Sequence, residues 1–185
     1  MLIGLIDSGN GGLAVLDSIK DLNHSYILIM DKAFFPYGVK SKEFLLKRSY
    51  YLVNYLVKRK CDLIIIACNT LSIMCSEFLK TCFKVKIISI FDCIKDELKN
   101  GNIFIGTKNS CIYVSEKYKI DCIDGTKLIW AIENKKDYQN IIDSLLNVKN
   151  KKLVLGCTHF LAINSNFFPV ETINPIFKLR LYLND

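Results

Sequence analysis

At 185 residues the chain suits one large domain or two small ones, and it can bury a core without a staple. With 51% hydrophobic and 23% charged residues it reads as globular, not disordered. Its net charge of +7 rests on lysine, with Arg48, Arg59 and Arg180 the only arginines, and the lysines are scattered apart from a small cluster at Lys149, Lys151 and Lys152. That pattern describes a solvated surface and argues against nucleic-acid binding, which favours the arginine fork.

Strand and helix patterns alternate along the chain. Residues 2–6 are an apolar run that stops at Asp7-Ser8-Gly9-Asn10-Gly11-Gly12, and residues 13–22 carry apolar residues at helical spacing. Residues 26–30 form a second apolar run. A loop over 31–41 carries Pro36-Tyr37-Gly38, and residues 42–60 read as a long amphipathic helix. Residues 63–67 read as a strand buried on both faces, ending at Cys68-Asn69-Thr70. Helix, strand (85–90), helix, strand (103–106) and helix follow. Residues 153–156 are a further buried strand, ending at Cys157-Thr158-His159, and the chain closes with Thr172-Ile173-Asn174-Pro175 and a short helical tail. Such alternation predicts parallel sheets covered by helices. The longest stretch without Asp, Glu, Lys or Arg, residues 153–170, holds His159, Asn164, Asn166 and Pro169, so no membrane span is expected. No basic segment precedes the first apolar run, so no signal peptide is expected, and the expected compartment is the reducing cytoplasm.

Eight cysteines are too sparse for a disulfide scaffold, and none has the paired spacing of a zinc site. Most read as small core hydrophobes. Two stand apart through an internal echo. Residues 63–70, Leu-Ile-Ile-Ile-Ala-Cys-Asn-Thr, match the pattern of residues 152–159, Lys-Leu-Val-Leu-Gly-Cys-Thr-His: an apolar strand, a small residue, a cysteine and two polar residues. Ligands of open parallel sheets gather at the carboxyl ends of strands, and four segments sit at such ends: 7–9, 68–70, 106–107 and 157–159. Each is expected to lead into a helix, whose free N–H groups suit a carboxylate or phosphate. A cysteine there is expected to have its thiol pKa lowered from ~8.5. Two such thiols on opposite sides of one ligand suit moving a proton off one face of a carbon and onto the other; equally, both fill strand-end space. The glycine loop 9–12 lacks the spacing of a nucleotide fingerprint, and it reads either as an anion-binding turn or as an ordinary tight turn. His159 reads as a base for Cys157 or as a substrate contact. A cysteine–histidine protease dyad finds no supporting context around either cysteine.

Together, residues 3–13, Pro36-Tyr37-Gly38 with Lys40-Ser41, Ala67-Cys68-Asn69-Thr70, Gly106-Thr107 and residues 155–160 resemble the cofactor-independent glutamate racemases of the aspartate/glutamate racemase superfamily. The resemblance implies an α/β fold of two similar parallel-sheet domains with the active site in the cleft between them: residues 1–92 plus 171–185, and a trimmed second domain over 93–170. It implies that Cys68 and Cys157 are the two acid/base residues, Cys68 acting on the D-isomer and Cys157 on the L-isomer, with Asp7 supporting Cys68 and His159 supporting Cys157. Glu133 resembles the family's acidic residue near that histidine. Ser8, Pro36, Tyr37, Gly38, Asn69, Thr70, Thr107, Ser110 and Thr158 fall where the family holds substrate. No cofactor and no metal is implied. The partner is a small molecule, glutamate, with no nucleic acid or membrane, and a homodimer is left open. The implied role is supply of D-glutamate for peptidoglycan.

The chain departs from the family in being roughly a quarter to a third shorter, in its compressed stretch from Glu133 to Cys157, in Leu161 where proline is usual, and in Ser110 where threonine is usual. Two alternatives stand beside the racemase: a non-catalytic or repurposed relative that binds an acidic amino acid or a protein partner, and an aspartate racemase.

Overall fold

The computed structural model of the chain describes residues 1–146, 148 and 150–184; Lys149 of the lysine cluster lies outside the described residues. Strands β1 (Leu2–Asp7), β2 (Ser25–Met30), β3 (Leu63–Ile66) and β4 (Lys86–Ser89) pair in parallel in the order β2-β1-β3-β4. Strands β5 (Asn102–Gly106), β6 (Cys122–Asp124), β7 (Lys152–Gly156) and β8 (Thr172–Ile173) repeat that order as β6-β5-β7-β8. The sequence echo thus has a topological cause: β3 and β7 hold the same place in two like-wound sheets. This is the α/β architecture that the alternation predicted.

The central strands are buried on both faces, which is why they read as continuous apolar runs. One face of the first sheet packs Ile6, Ile64 and Ile66 against α2 (Lys42–Lys58) and α3 (Asn69–Cys82). The other packs Ile3, Leu5 and Ile65 against Val15 of α1 (Gly11–Asp17) and Leu179 and Leu183 of α7 (Ile176–Asn184). In the second sheet Ile105 and Leu155 meet α5 (Thr126–Glu133) and α6 (Gln139–Leu145), while Phe104 and Val154 meet α4 (Lys108–Tyr118). Helix α2 starts where Ser41 accepts a hydrogen bond from the Phe44 N–H, and it buries Leu45, Leu52, Val53 and Leu56 along one stripe.

Four expectations shift. The helix expected over 13–22 runs from Gly11 to Asp17, where the Ser18 hydroxyl bonds back to the Ala14 carbonyl before the chain turns toward β2. The stretch after β4 is not an α-helix but two 3-10 turns, Ile90–Cys93 and Lys95–Glu97, because it crosses from one sheet to the other instead of covering either. Cys157 leads into a 3-10 turn, Thr158–Ala162, rather than an α-helix. Thr172 and Ile173 pair with β7, so the return to the first sheet, expected from residue 171, comes after β8 and is made by α7. Among the described residues no helix is long and apolar enough to cross a membrane.

Gly11 resolves the two readings of the glycine loop at its own position. A Cβ there would lie 2.1 Å from Oγ1 of Thr158, so glycine is needed for the first sheet's loop to meet the segment after β7. Replacing Gly11 by alanine should therefore cost about 1–3 kcal/mol of stability through overpacking, measured by urea unfolding. An alanine variant as stable as the parent would overturn this account of the contact.

Candidate active site

The carboxyl ends of β1, β3, β5 and β7 surround one narrow cavity of about 10 Å³, the room of about one water molecule. Its walls include Ser8 after β1, Cys68, Asn69 and Thr70 after β3, Thr107 after β5, and Cys157, Thr158 and His159 after β7. Pro36, Tyr37 and Gly38 close one side. Of the residues expected to hold substrate, only Ser110 is not in the wall. It is fully buried behind it, its hydroxyl 3.0 Å from Thr107 Oγ1.

The two cysteines flank this space in different surroundings. Cys68 is the N-cap of α3, with its sulfur 3.8 Å from the Ser8 hydroxyl. Burial pushes its thiol far up, and the charge of Asp7 adds to the rise; the Leu71 N–H at the helix start pulls the other way and is outweighed. The lowered thiol pKa expected of a helix N-terminus is therefore reversed at Cys68, because full burial outweighs the helix end. Cys157 lies 3.5 Å from Nδ1 of His159, whose Nε2 is 2.7 Å from Oε2 of Glu133. Burial alone would lower the imidazole pKa, but Cys157, Glu133 and Asp7 outweigh it and raise it to about 10. Burial likewise works to raise the Glu133 carboxyl, yet His159 and the Asn10 N–H hold it below its usual range. A buried imidazolium thus stands between a carboxylate and a sulfur.

Asp7 is fully buried at the end of β1. One carboxylate oxygen accepts from the Gly9 N–H at 2.9 Å and the other from the Thr158 hydroxyl at 3.0 Å. Burial raises its pKa against His159, the Gly9 N–H and Thr158. Its hydrogen bonds run to Thr158, the neighbour of Cys157, and none of those among the described residues reaches Cys68; Asp7 acts on Cys68 through charge alone.

Asn69 is 3% exposed, and both its amide nitrogen and its amide oxygen lack a hydrogen-bond partner. Buried polar groups are rarely left so, and an orphaned amide in a cavity wall marks the place of a polar ligand. A carboxylate and an ammonium group together offer the acceptor and the donor it needs.

No family model matches the chain. A glutamate racemase of Buchnera aphidicola subsp. Schizaphis graminum is 34% identical over 184 residues, covering 84% of this chain and 71% of that protein. The chain belongs to the glutamate racemase family. A glutamate racemase of Fusobacterium nucleatum is 31% identical over 204 residues, covering 96% of this chain and 77% of that one. The crystal structure of glutamate racemase from Campylobacter jejuni superposes with a TM-score of 0.86 at 26% identity, covering 100% of this chain and 85% of that one.

Within this member of the glutamate racemase family, sequence reasoning missed three wall residues, Phe35, Ile129 and Gly156. Phe35 had a signal, its place beside Pro36, and its ring now lies 5.5 Å from that of His159. Ile129 carried none, since only the packing of α5 brings it to the cavity. Among the described residues no cluster of His, Cys, Asp and Glu is arranged to hold a metal ion.

The imidazolium of His159 ties the fold to pH. Its pKa is 6.5 in the unfolded chain and about 10 in the fold, so its stabilisation is complete below its unfolded value and is lost as pH rises through the folded one. His159→Gln should therefore lower Tm most near about pH 6 and progressively less toward pH 10. A Tm difference that stays constant over that range would overturn the assignment.

Proposed function

We propose that the protein interconverts L- and D-glutamate without a cofactor, using Cys68 and Cys157 as paired acid and base. The supporting observation is the pair of thiols from equivalent strand ends on one cavity, beside an asparagine amide left for a ligand to satisfy. In the L-to-D direction the Cys157 sulfur, as thiolate, takes the α-proton of L-glutamate. The Cys68 thiol gives its proton to the opposite face of the same carbon. The α-carbon passes through a carbanion; the Cys157 sulfur ends as a thiol and the Cys68 sulfur as a thiolate, one proton taken up and one given. In the D-to-L direction the roles reverse. The charge distribution suits this starting state: His159 places a positive charge 3.5 Å from Cys157, where negative charge resides when its proton is absent, while burial and Asp7 keep Cys68 as a thiol. The α-proton is far less acidic than a thiol, so the barrier must fall through orientation, fixed donors on the α-carboxylate and exclusion of water. Asn69, Thr70, Thr107 and the loop at Pro36–Gly38 are the donors and walls available for it. The D-glutamate produced would feed peptidoglycan synthesis in the cytoplasm.

Circular dichroism of L-glutamate and of D-glutamate, incubated with the protein and no pyridoxal phosphate, should decay to zero in both cases, and that of L-aspartate should persist. Decay for aspartate alone would assign an aspartate racemase, and no decay for either amino acid would overturn the enzyme. Cys68→Ala and Cys157→Ala should each abolish the decay; substantial turnover in either single variant would rule out the two-base scheme. Asn69→Ala should raise KM by about tenfold, the effect of one lost bond to a charged group, with a smaller loss in kcat.

A further inference from the structure

Tyr37 forms one wall of the cavity, yet nothing in the substrate chemistry explains why its ring stays where it is. The ring is 1% exposed and packs in the same apolar cluster as Cys68. Its hydroxyl therefore needs a protein acceptor, and it donates to Oδ2 of Asp31. Asp31 is itself buried, at the end of β2, where its backbone N–H donates to the Asp7 carbonyl at 2.9 Å. A buried carboxylate needs a paired charge, and Arg48 of α2 supplies it through two bonds: Nε to Oδ2 at 2.8 Å and Nη2 to Oδ1 at 2.6 Å. The guanidinium is held in turn over the Phe34 ring at 4.8 Å and the Tyr51 ring at 5.1 Å. The result is a chain of fixed groups from α2 through Arg48 and Asp31 to Tyr37. Next to Tyr37, Gly38 lies so close to Thr107 that a Cβ on it would come within 2.4 Å of the threonine Cβ. A small displacement of the tyrosine would therefore open the cavity along the line where the loop meets the end of β5.

We propose that Asp31 and Arg48 are positioning residues: they pin the Tyr37 ring, and through it the Pro36–Gly38 wall, so that the cavity closes on its substrate against Thr107. Neither residue lines the cavity, so both act through Tyr37. Arg48 offers a planar fork to both carboxylate oxygens, and lysine, a single point charge, cannot hold Asp31 in the same orientation. Burial works to raise the Asp31 carboxyl, and Arg48 and Tyr37 together hold it below its usual range, as the geometry of the clamp requires.

The inference rests on the racemase reading, and the experiment separates the two. Wild type, Arg48→Lys, Arg48→Ala, Asp31→Asn and Tyr37→Phe are compared for glutamate turnover in both directions, with Tm recorded for each. The expected result is a KM raised about tenfold or more in Arg48→Lys and Tyr37→Phe with kcat changed by less than about threefold, since the proton-transferring sulfurs are untouched. Arg48→Ala should recover affinity when methylguanidinium is added and should not recover with methylammonium. A loss of fold alone would not produce that selectivity. Unchanged KM in Arg48→Lys and Tyr37→Phe, or rescue of Arg48→Ala by both cations alike, would overturn the clamp and leave the racemase standing. If the wild type shows no turnover, the racemase reading falls, and the clamp is read instead from protection of Cys68 against iodoacetamide by glutamate. Protection in wild type that Arg48→Lys and Tyr37→Phe lose supports it; protection that they keep overturns it, and absence of protection in wild type overturns both.

Discussion

The hydrogen bond from Thr158 to Asp7 is the interaction on which the site depends. It joins the end of β1 to the segment after β7, across 151 residues of chain, and both partners are buried. A fully buried carboxylate is expensive to keep charged. Part of that cost is recovered from His159 and the Thr158 hydroxyl of the second sheet's strand end and from the Gly9 N–H of the loop that follows Asp7, although burial still raises the Asp7 pKa. The Glu133 carboxylate makes the same bargain in reverse, accepting from the Asn10 N–H of the first sheet's loop while it holds His159 of the second. Two carboxyl groups and one imidazole therefore share a single buried region built from both halves. Separating the halves would leave buried charges without partners, so closure of the cavity and its electrostatics are one property.

The two sheets are wound alike, and their like strands deliver like residues, but the surroundings of the two sulfurs break the symmetry. Cys68 caps a regular α-helix and meets a hydroxyl, a tyrosine ring and a nearby carboxylate. Cys157 precedes a single 3-10 turn, and the tighter turn brings the residue two places on, His159, back against its sulfur. The proposed reaction needs one sulfur with its proton and one without, and unequal settings suit it.

Much of this was legible in the sequence because it is local. The buried strands appear as apolar runs, and the echo of residues 63–70 in residues 152–159 marked both cysteines before their topological equivalence was known. Their companions Asn69, Thr70, Thr158 and His159 came with them, being adjacent in the chain. What sequence reasoning misjudged depends on tertiary burial. The direction of the Cys68 shift reversed because burial and the charge of Asp7 outweigh the Leu71 N–H at the helix start, and no local pattern reports either. Asp31 and Arg48 went unnoticed because an ionic pair 17 residues apart, formed between a strand end and a helix face, leaves no spacing signature. The 3-10 turns after β4 and Cys157 escaped for a related reason. Whether a short polar-apolar segment covers a sheet or crosses between two is set by where the next strand must start.

Glycine positions show how the halves approach so closely. At Gly11 the missing Cβ admits Thr158, and at Gly38 it admits Thr107, so at two points a backbone of the first half touches a threonine of the second. Each of these threonines bears on the site: Thr158 holds Asp7, and Thr107 bonds to Thr70 and Ser110 along the cavity wall. Backbone against side chain leaves no room for water at these seams, whereas two opposed side chains would leave gaps that only their rotamers could fill. The close approach of the two halves at these seams therefore rests on residues that contribute no functional group at all.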